Sequence, residues 1–335
     1  MSKSKCGSTS GSCNDNGGCV TIDEAIAQVV TNGKQPQKAI ELMVPPSNPA
    51  DLEVGANSAN SNRRSPRSRP PRRQPQKRKP RKLPLARALL AEALGTACIV
   101  LVGCGSVCSS LSGAYQGIWQ VAAVWGIGVT LAICLSADAS GAHLNPAVTL
   151  AFWIVRPSAH GMNFKRSVLY VAAQLAGAIA AAAVNLLIHG STIVAFERAN
   201  GLVRGQEDSV RSAMAFGEYF PNPALSQEFG SGGPFHQDDI SIIAACGVEA
   251  WGTFILTFII FAITNSRNST TTGTGAASLT VPFLIGATVA ALVALYAPIT
   301  QAGWNPARDF GPRVIAAMAG WGTVAIPGPR NGFWM

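Results

Sequence analysis

Two stretches of this chain hold residue types that could line a polar path through an apolar environment. Gly303-Trp304-Asn305-Pro306-Ala307-Arg308-Asp309-Phe310-Gly311-Pro312-Arg313 sets an Asn-Pro-Ala triplet and an arginine at the mouth of an apolar run, and Gly141-Ala142-His143-Leu144-Asn145-Pro146-Ala147-Val148-Thr149 sets a second triplet at another. Asparagine is a good helix N-cap and proline is tolerated at the first helical position, so each triplet reads as the start of a helix. The triplet alone carries little, because it also occurs at Asn48, in a polar tail, and at Asn222, which runs into Leu225-Ser226-Gln227-Glu228. Both of those copies read as turns.

Context separates the other two, since each follows a pair of membrane-length apolar segments and opens a stretch too short to span. Asn145 to Val155 is 11 residues, roughly 16 Å of helix and about half of a ~30 Å hydrocarbon core. Two capped half-helices among full spans imply a meeting near the midplane, where irregular backbone is tolerated only if buried in protein or lining a cavity. Their N-termini, each carrying roughly +0.5 charge, oppose a cation, while Asn145 and Asn305 supply amide donors. Arg308 adds a fixed charge and a fork of donors at a constriction. Glu92 and Glu249 lie inside apolar segments, a costly placement that demands partners. Each is expected to accept hydrogen bonds from the non-helical backbone before a half-helix, freeing the carbonyls of Gly141, Ala142, His143 and Gly303 to face a lumen. For His143 the backbone matters more than the ring. A line of acceptors suits a file of neutral hydrogen-bonding molecules.

The elements that must hold these residues follow from composition. Of 335 residues, 48% are hydrophobic and 13% charged, the makeup of an all-α polytopic membrane protein with a polar appendage. The net charge of +9 is local, because Arg63 to Lys82 alone carries 11 Lys or Arg and no acid. Residues 1–82 read as a disordered tail around one short helix candidate, Ile22 to Thr31, with the basic segment 63–82 acting as a topology anchor. It directly precedes the first span, which puts the N-terminus in the cytosol, in a plasma or organelle membrane. Spans are predicted at 84–107, 118–137, 164–188, 240–263 and 276–298, giving a membrane domain over 83–325 and a C-terminal tail over 326–335. The loop between the third and fourth spans is extracytosolic by counting. The sequon at Asn268 falls on the cytosolic side. No cysteine or histidine spacing points to a metal, no cofactor is expected, and no nucleophile and base gather into an enzyme site.

An internal repeat ties the halves together. Glu92-Ala93-Leu94-Gly95-Thr96 recurs as Glu249-Ala250-Trp251-Gly252-Thr253, and the triplet asparagine follows each glutamate by 53 and 56 residues. Three spans separate the two glutamate segments, so the second copy enters the bilayer inverted.

Together these motifs resemble the major intrinsic protein family, the aquaporins and glycerol facilitators, across about 84–325. The resemblance implies six spans, two re-entrant half-helices with the motifs Asn145-Pro146-Ala147 and Asn305-Pro306-Ala307 in the pore, and a homotetramer with one pore per subunit. Asp309 after the second triplet, with Arg313 beyond it, looks like the aquaglyceroporin branch; Asp309 is expected as structural support. The family's selectivity filter maps onto Trp125, Val293, Ala302 and Arg308. Ala302 departs from the pattern, standing where glycerol channels usually carry a second aromatic, so the filter is expected to be wide unless Trp304 or Tyr296 repacks into the corner. A second departure is the 15 residues from Trp321 to Met335, broken by Pro327, Gly328 and Pro329, which are too short for the sixth span. The implied function is passive transport of small uncharged solutes, glycerol first, then water and urea, with ions and protons excluded. The partners are solute and lipid bilayer, and no nucleic acid. A water-selective channel and a non-conducting membrane scaffold are the competing functions.

Overall fold

The computed structural model describes residues 84–227, 233–236, 238–265, 267–268 and 277–329. The expected tail of residues 1–82, its basic segment and its helix candidate lie outside the described residues, as do Ser269, Thr270 and 330–335. What is described is helical apart from turns and one isolated bridge between Ser226 and Phe235.

The chain runs α1 Leu85–Leu111, α2 Ile118–Ser140, the half-helix α3 Pro146–Val155, α4 Phe164–Ala199, α5 Ile242–Ile263, α6 Ala277–Thr300 and the half-helix α7 Pro306–Ala316. Among the described residues five helices, α1, α2, α4, α5 and α6, are long and apolar enough to cross a membrane. The chain is an integral, multi-pass membrane protein. α1 packs on α4 and α2, α2 on α6, α6 on α5, and α7 lies against α4. Past α7 the chain kinks at Gly320 (φ 106°), and the fully buried Trp321 ring donates to Ser212 Oγ at 2.9 Å, tying this end to the loop after α4.

The helix that carries the third span, predicted over 164–188, continues to Ala199, 36 residues in all, or roughly 54 Å. Helix persists there because Ile193 and Glu197 are buried and Glu197 pairs with Arg204 at 2.9 Å and accepts from Ser212 Oγ at 2.8 Å. The loop that follows is not merely polar: Phe216, Tyr219 and Phe220 are buried in it.

Small residues set the interhelical spacing. A Cβ on Gly126 would strike the carbonyl of Gly286 and one on Gly286 that of Gly126, so α2 and α6 meet backbone to backbone. Gly177 of α4 lies against the Ala93 carbonyl of α1, whereas Gly190 of the same helix faces open space. Gly177→Ala should therefore lower the thermal unfolding midpoint in detergent, an overpacking cost of about 1–3 kcal/mol. Gly190→Ala should raise it slightly, by about 0.5–1 kcal/mol, through helix propensity. Shifts of the same sign in both variants would contradict this packing.

Candidate functional site

The site grows from the two half-helix starts. Asn145 caps α3 by accepting from Ala147 N at 2.8 Å, and Asn305 caps α7 by accepting from Ala307 N and Arg308 N, both at 3.2 Å. The residues before each cap alternate into left-handed backbone at matched positions. Ala142 and Leu144 (φ 51° and 53°) stand three and one before Asn145, and Ala302 and Trp304 (φ 65° and 35°) stand three and one before Asn305. Non-glycine residues adopt that region only when the surroundings enforce it.

The enforcement comes from the two buried glutamates. Glu92 of α1 accepts His143 N at 3.0 Å and Leu144 N at 2.7 Å. Glu249 of α5 accepts Gly303 N at 3.1 Å and Trp304 N at 2.8 Å. Each carboxylate thus takes the N–H groups two and one before its asparagine. Further donors complete them: Gln174 Nε2 reaches Glu92 at 2.7 Å, and Thr300 Oγ1 reaches Glu249 at 2.5 Å. The repeated glycines have a matching use. Gly95 makes room for the Leu144 side chain and Gly252 for the Trp304 ring, so Glu-Ala-X-Gly-Thr is a socket for the residue preceding each asparagine.

The two motifs meet. Asn145 Nδ2 donates to the Trp304 carbonyl at 2.7 Å and Asn305 Nδ2 to the Leu144 carbonyl at 2.8 Å, leaving a second N–H on each amide. The cavity beside this junction, about 320 Å³, is lined by Gly141, Ala142, His143, Asn145, Gly303 and Asn305 together with the hydrocarbon of Ile99, Val129, Val148, Leu256, Ile285 and Val289. A second cavity, about 660 Å³, opens toward the loop after α4. Trp125, Val293 and Arg308 line both cavities, while Ala302 lines only the first. The Trp125 ring lies against Gly103 of α1, and the Arg308 guanidinium carbon sits 4.2 Å above it.

Arg308 does not pair with its neighbour Asp309. Asp309 instead accepts from Arg313 Nε and from Glu218 N, each at 2.8 Å, and Arg308 is paired with Glu218. Arg313, fully buried, also donates to the carbonyls of Ala325 and Glu218, so it anchors both flanking loops. The corner left by Ala302 is not filled from the side of the second cavity: Trp304 packs edge-on against Tyr296, with ring centroids 6.3 Å apart, and faces the first cavity only. The His143 ring is built into the wall, stacked on Phe152 with centroids 4.5 Å apart and 3.0 Å from His160 Nδ1.

Several residues of this site were not singled out from sequence. Asn222, read as a bare turn, caps Pro223–Leu225, donates to the Ala297 carbonyl at 2.9 Å and lines the second cavity. Gln174 had a signal, one of two side-chain amides, with Asn185, in an otherwise apolar span. Glu218 had none, since it sits in an aperiodic loop.

Removing either support should expose its cost. Glu92→Ala leaves two backbone N–H groups without an acceptor, at about 1–3 kcal/mol each, while the Gln174 amide keeps only Thr149 Oγ1 at 3.0 Å. Its unfolding midpoint in detergent should fall well below that of Glu92→Gln, which keeps one acceptor oxygen. Equal midpoints for the parent and Glu92→Ala would contradict the assigned role.

Comparison with known proteins agrees with this geometry. Residues 79–332 match the family described as Major intrinsic protein. The glycerol uptake facilitator protein of Pseudomonas aeruginosa is 39% identical over 243 residues, covering 72% of this chain and 78% of the relative. That of Escherichia coli K12 is 38% identical over 244 residues, with the same coverage of 72% and 78%. The propanediol uptake facilitator PduF of Citrobacter freundii is 38% identical over 243 residues, 72% of this chain and 81% of that one. Among solved structures, the aquaglyceroporin from Plasmodium falciparum superposes with a TM-score of 0.58 at 22% identity, covering 75% of this chain and 87% of that one. With its paired Asn-Pro-Ala half-helices on an inverted repeat, and with this extent of matched sequence, the chain belongs to the major intrinsic protein family.

Proposed function

We propose that this chain is a passive transmembrane channel for small uncharged solutes, with glycerol first among them and water and urea also admitted. The observation that carries this reading is the mixed lining of the lumen, in which the two asparagines and the non-helical segments before them share the wall with hydrocarbon side chains. A polyol moving through it can exchange hydrogen bonds along one edge while its C–H groups remain against apolar side chains, so little solvation is lost at any step. An ion has no such compensation, because the half-helix N-termini oppose cations and the apolar wall solvates no charge. The similarity to glycerol and propanediol uptake facilitators supports the same solute class.

Within this reading Trp125, Val293, Ala302 and Arg308 form the selectivity filter, with the Asn145 and Asn305 motifs at the midpoint of the path. Strict water selectivity is disfavoured by Asp309 and Trp125 and by the lack of a histidine at Val293. The N-terminus is cytosolic, and the chain works as a homotetramer in lipid with one lumen per subunit. The arrangement offers nothing for bond-making chemistry and acts as a transporter, not an enzyme.

Stopped-flow light scattering on proteoliposomes tests the filter. The parent should carry glycerol well above empty vesicles. Trp125→Ala, which removes the one large wall of the constriction, should raise the sorbitol-to-glycerol permeability ratio at least about tenfold, the order expected when about 1.4 kcal/mol of barrier is lost. An unchanged ratio would show that the constriction lies elsewhere, and no glycerol flux from folded parent would reject the channel.

A further inference from the structure

Resting on the reading of the lumen as a conducting path, we infer that Glu218 is a specificity-determining residue that acts through Arg308, cancelling the charge of the filter arginine so that the constriction is electrically neutral. The two side chains form an ion pair and both are buried, at 8% and 2% exposure. Arg308 and Glu218 are paired with each other, and the neighbouring acids have hydrogen-bond donors of their own, although Glu249 Oε2 also borders Gly303 beside the Glu218 carboxylate. Asp309 is held by Arg313 at 2.8 Å, and Glu249 is committed to Gly303, Trp304 and Thr300. No hydrogen bond reaches either Glu218 carboxylate oxygen from elsewhere among the described residues, so that carboxylate has no use other than its partner.

The placement of Glu218 is built rather than incidental. Its own N–H donates to Asp309 Oδ1 at 2.8 Å, its carbonyl accepts from Arg313, and the next N–H, of Tyr219, donates to Gln301 Oε1 at 2.9 Å. The Tyr219 hydroxyl donates to the Val324 carbonyl at 3.1 Å. The carboxylate itself lies against Gly303, where a Cβ would collide with it, so the absence of a side chain at Gly303 is what admits it. Glu218 is not among the lining of either cavity. It therefore sets the charge of the constriction from behind Arg308 rather than by touching solute.

An unpaired Arg308 would place a full positive charge at the narrowest point and draw small anions toward it; an unpaired Glu218 would do the reverse for cations. Paired, they leave solute choice to size and hydrogen bonding, and the two half-helix N-termini remain the barrier to cations.

Opposite-sign leaks test this. Proteoliposomes of the parent, Glu218→Gln, Glu218→Asp, Arg308→Gln and the double variant Glu218→Gln/Arg308→Gln are assayed for glycerol flux, for iodide uptake by dye quenching and for rubidium uptake. Iodide uptake should rise about tenfold or more in Glu218→Gln and rubidium uptake by a similar factor in Arg308→Gln. Both should remain at the parent level in Glu218→Asp and in the double variant. A merely structural role would impair glycerol flux in every variant without this reversal. If one single variant fails to fold, the other still reports its own sign, and the double variant should erase it. Unchanged iodide and rubidium uptake alongside retained glycerol flux would overturn the assignment of Glu218. Absent glycerol flux in the parent would instead reject the channel on which it rests.

Discussion

Backbone N–H and C=O groups cannot be left unsatisfied inside a bilayer, and this fold depends on how two glutamates meet that constraint. Where the chain leaves helix at the midplane, Glu92 and Glu249 each take the two N–H groups before an asparagine. That single arrangement has three consequences. The bonded N–H groups fix the alternating left-handed backbone at Ala142, Leu144, Ala302 and Trp304. The Leu144 and Trp304 carbonyls of the same segments accept from the asparagine of the opposite motif, and the Gly303 carbonyl accepts from Asn305 N within its own loop. The asparagines are then positioned to cap their half-helices and to reach across, which locks the two halves together. A buried carboxylate is costly in a membrane, and here the cost is offset by converging donors.

The two halves share this device and differ in what surrounds it. In the first, the residue in the glycine socket is Leu144, and the carboxylate is closed off by Gln174. In the second it is Trp304, and the segment is further gripped by Asp309, Arg313 and the loop carrying Glu218. The second half therefore carries the arginine shared by the two cavities, because Arg308 follows its triplet and the loop after α4 folds back over it. The first half has Thr149 where Asp309 follows the second triplet at a similar distance, and it contributes Trp125 from α2 across the lumen. Inverted symmetry builds the path, and departures from that symmetry select what uses it.

Much of this was legible in the chain because the decisive features are short-range or repeated. Apolar runs located the spans, the triplets located the half-helices, and the matched Glu-Ala-X-Gly-Thr segments exposed the repeat. The glycine at the fourth position of that segment was visible too, but its purpose needed the Leu144 and Trp304 side chains in place. The apolar run of the third span ends near 188 but the helix does not, because burial of Ile193 and Glu197, which no local pattern records, carries α4 onward. The partner of Arg308 was hidden for a related reason. Glu218 lies 90 residues upstream in an aperiodic loop, and its role exists only once Asp309, Arg313 and Gln301 have folded that loop over the second motif.

The central claim is that opposed half-helix termini, held open by the two carboxylates, pass neutral hydrogen-bonding molecules and refuse charge. Its most direct test is glycerol uptake by proteoliposomes that carry an imposed pH gradient, with an internal pH dye read during the uptake. The account predicts that glycerol equilibrates through the protein while the pH gradient decays no faster than in protein-free vesicles. Collapse of the gradient on the timescale of glycerol uptake would mean that a continuous proton wire crosses the junction of Asn145 and Asn305, and would contradict it.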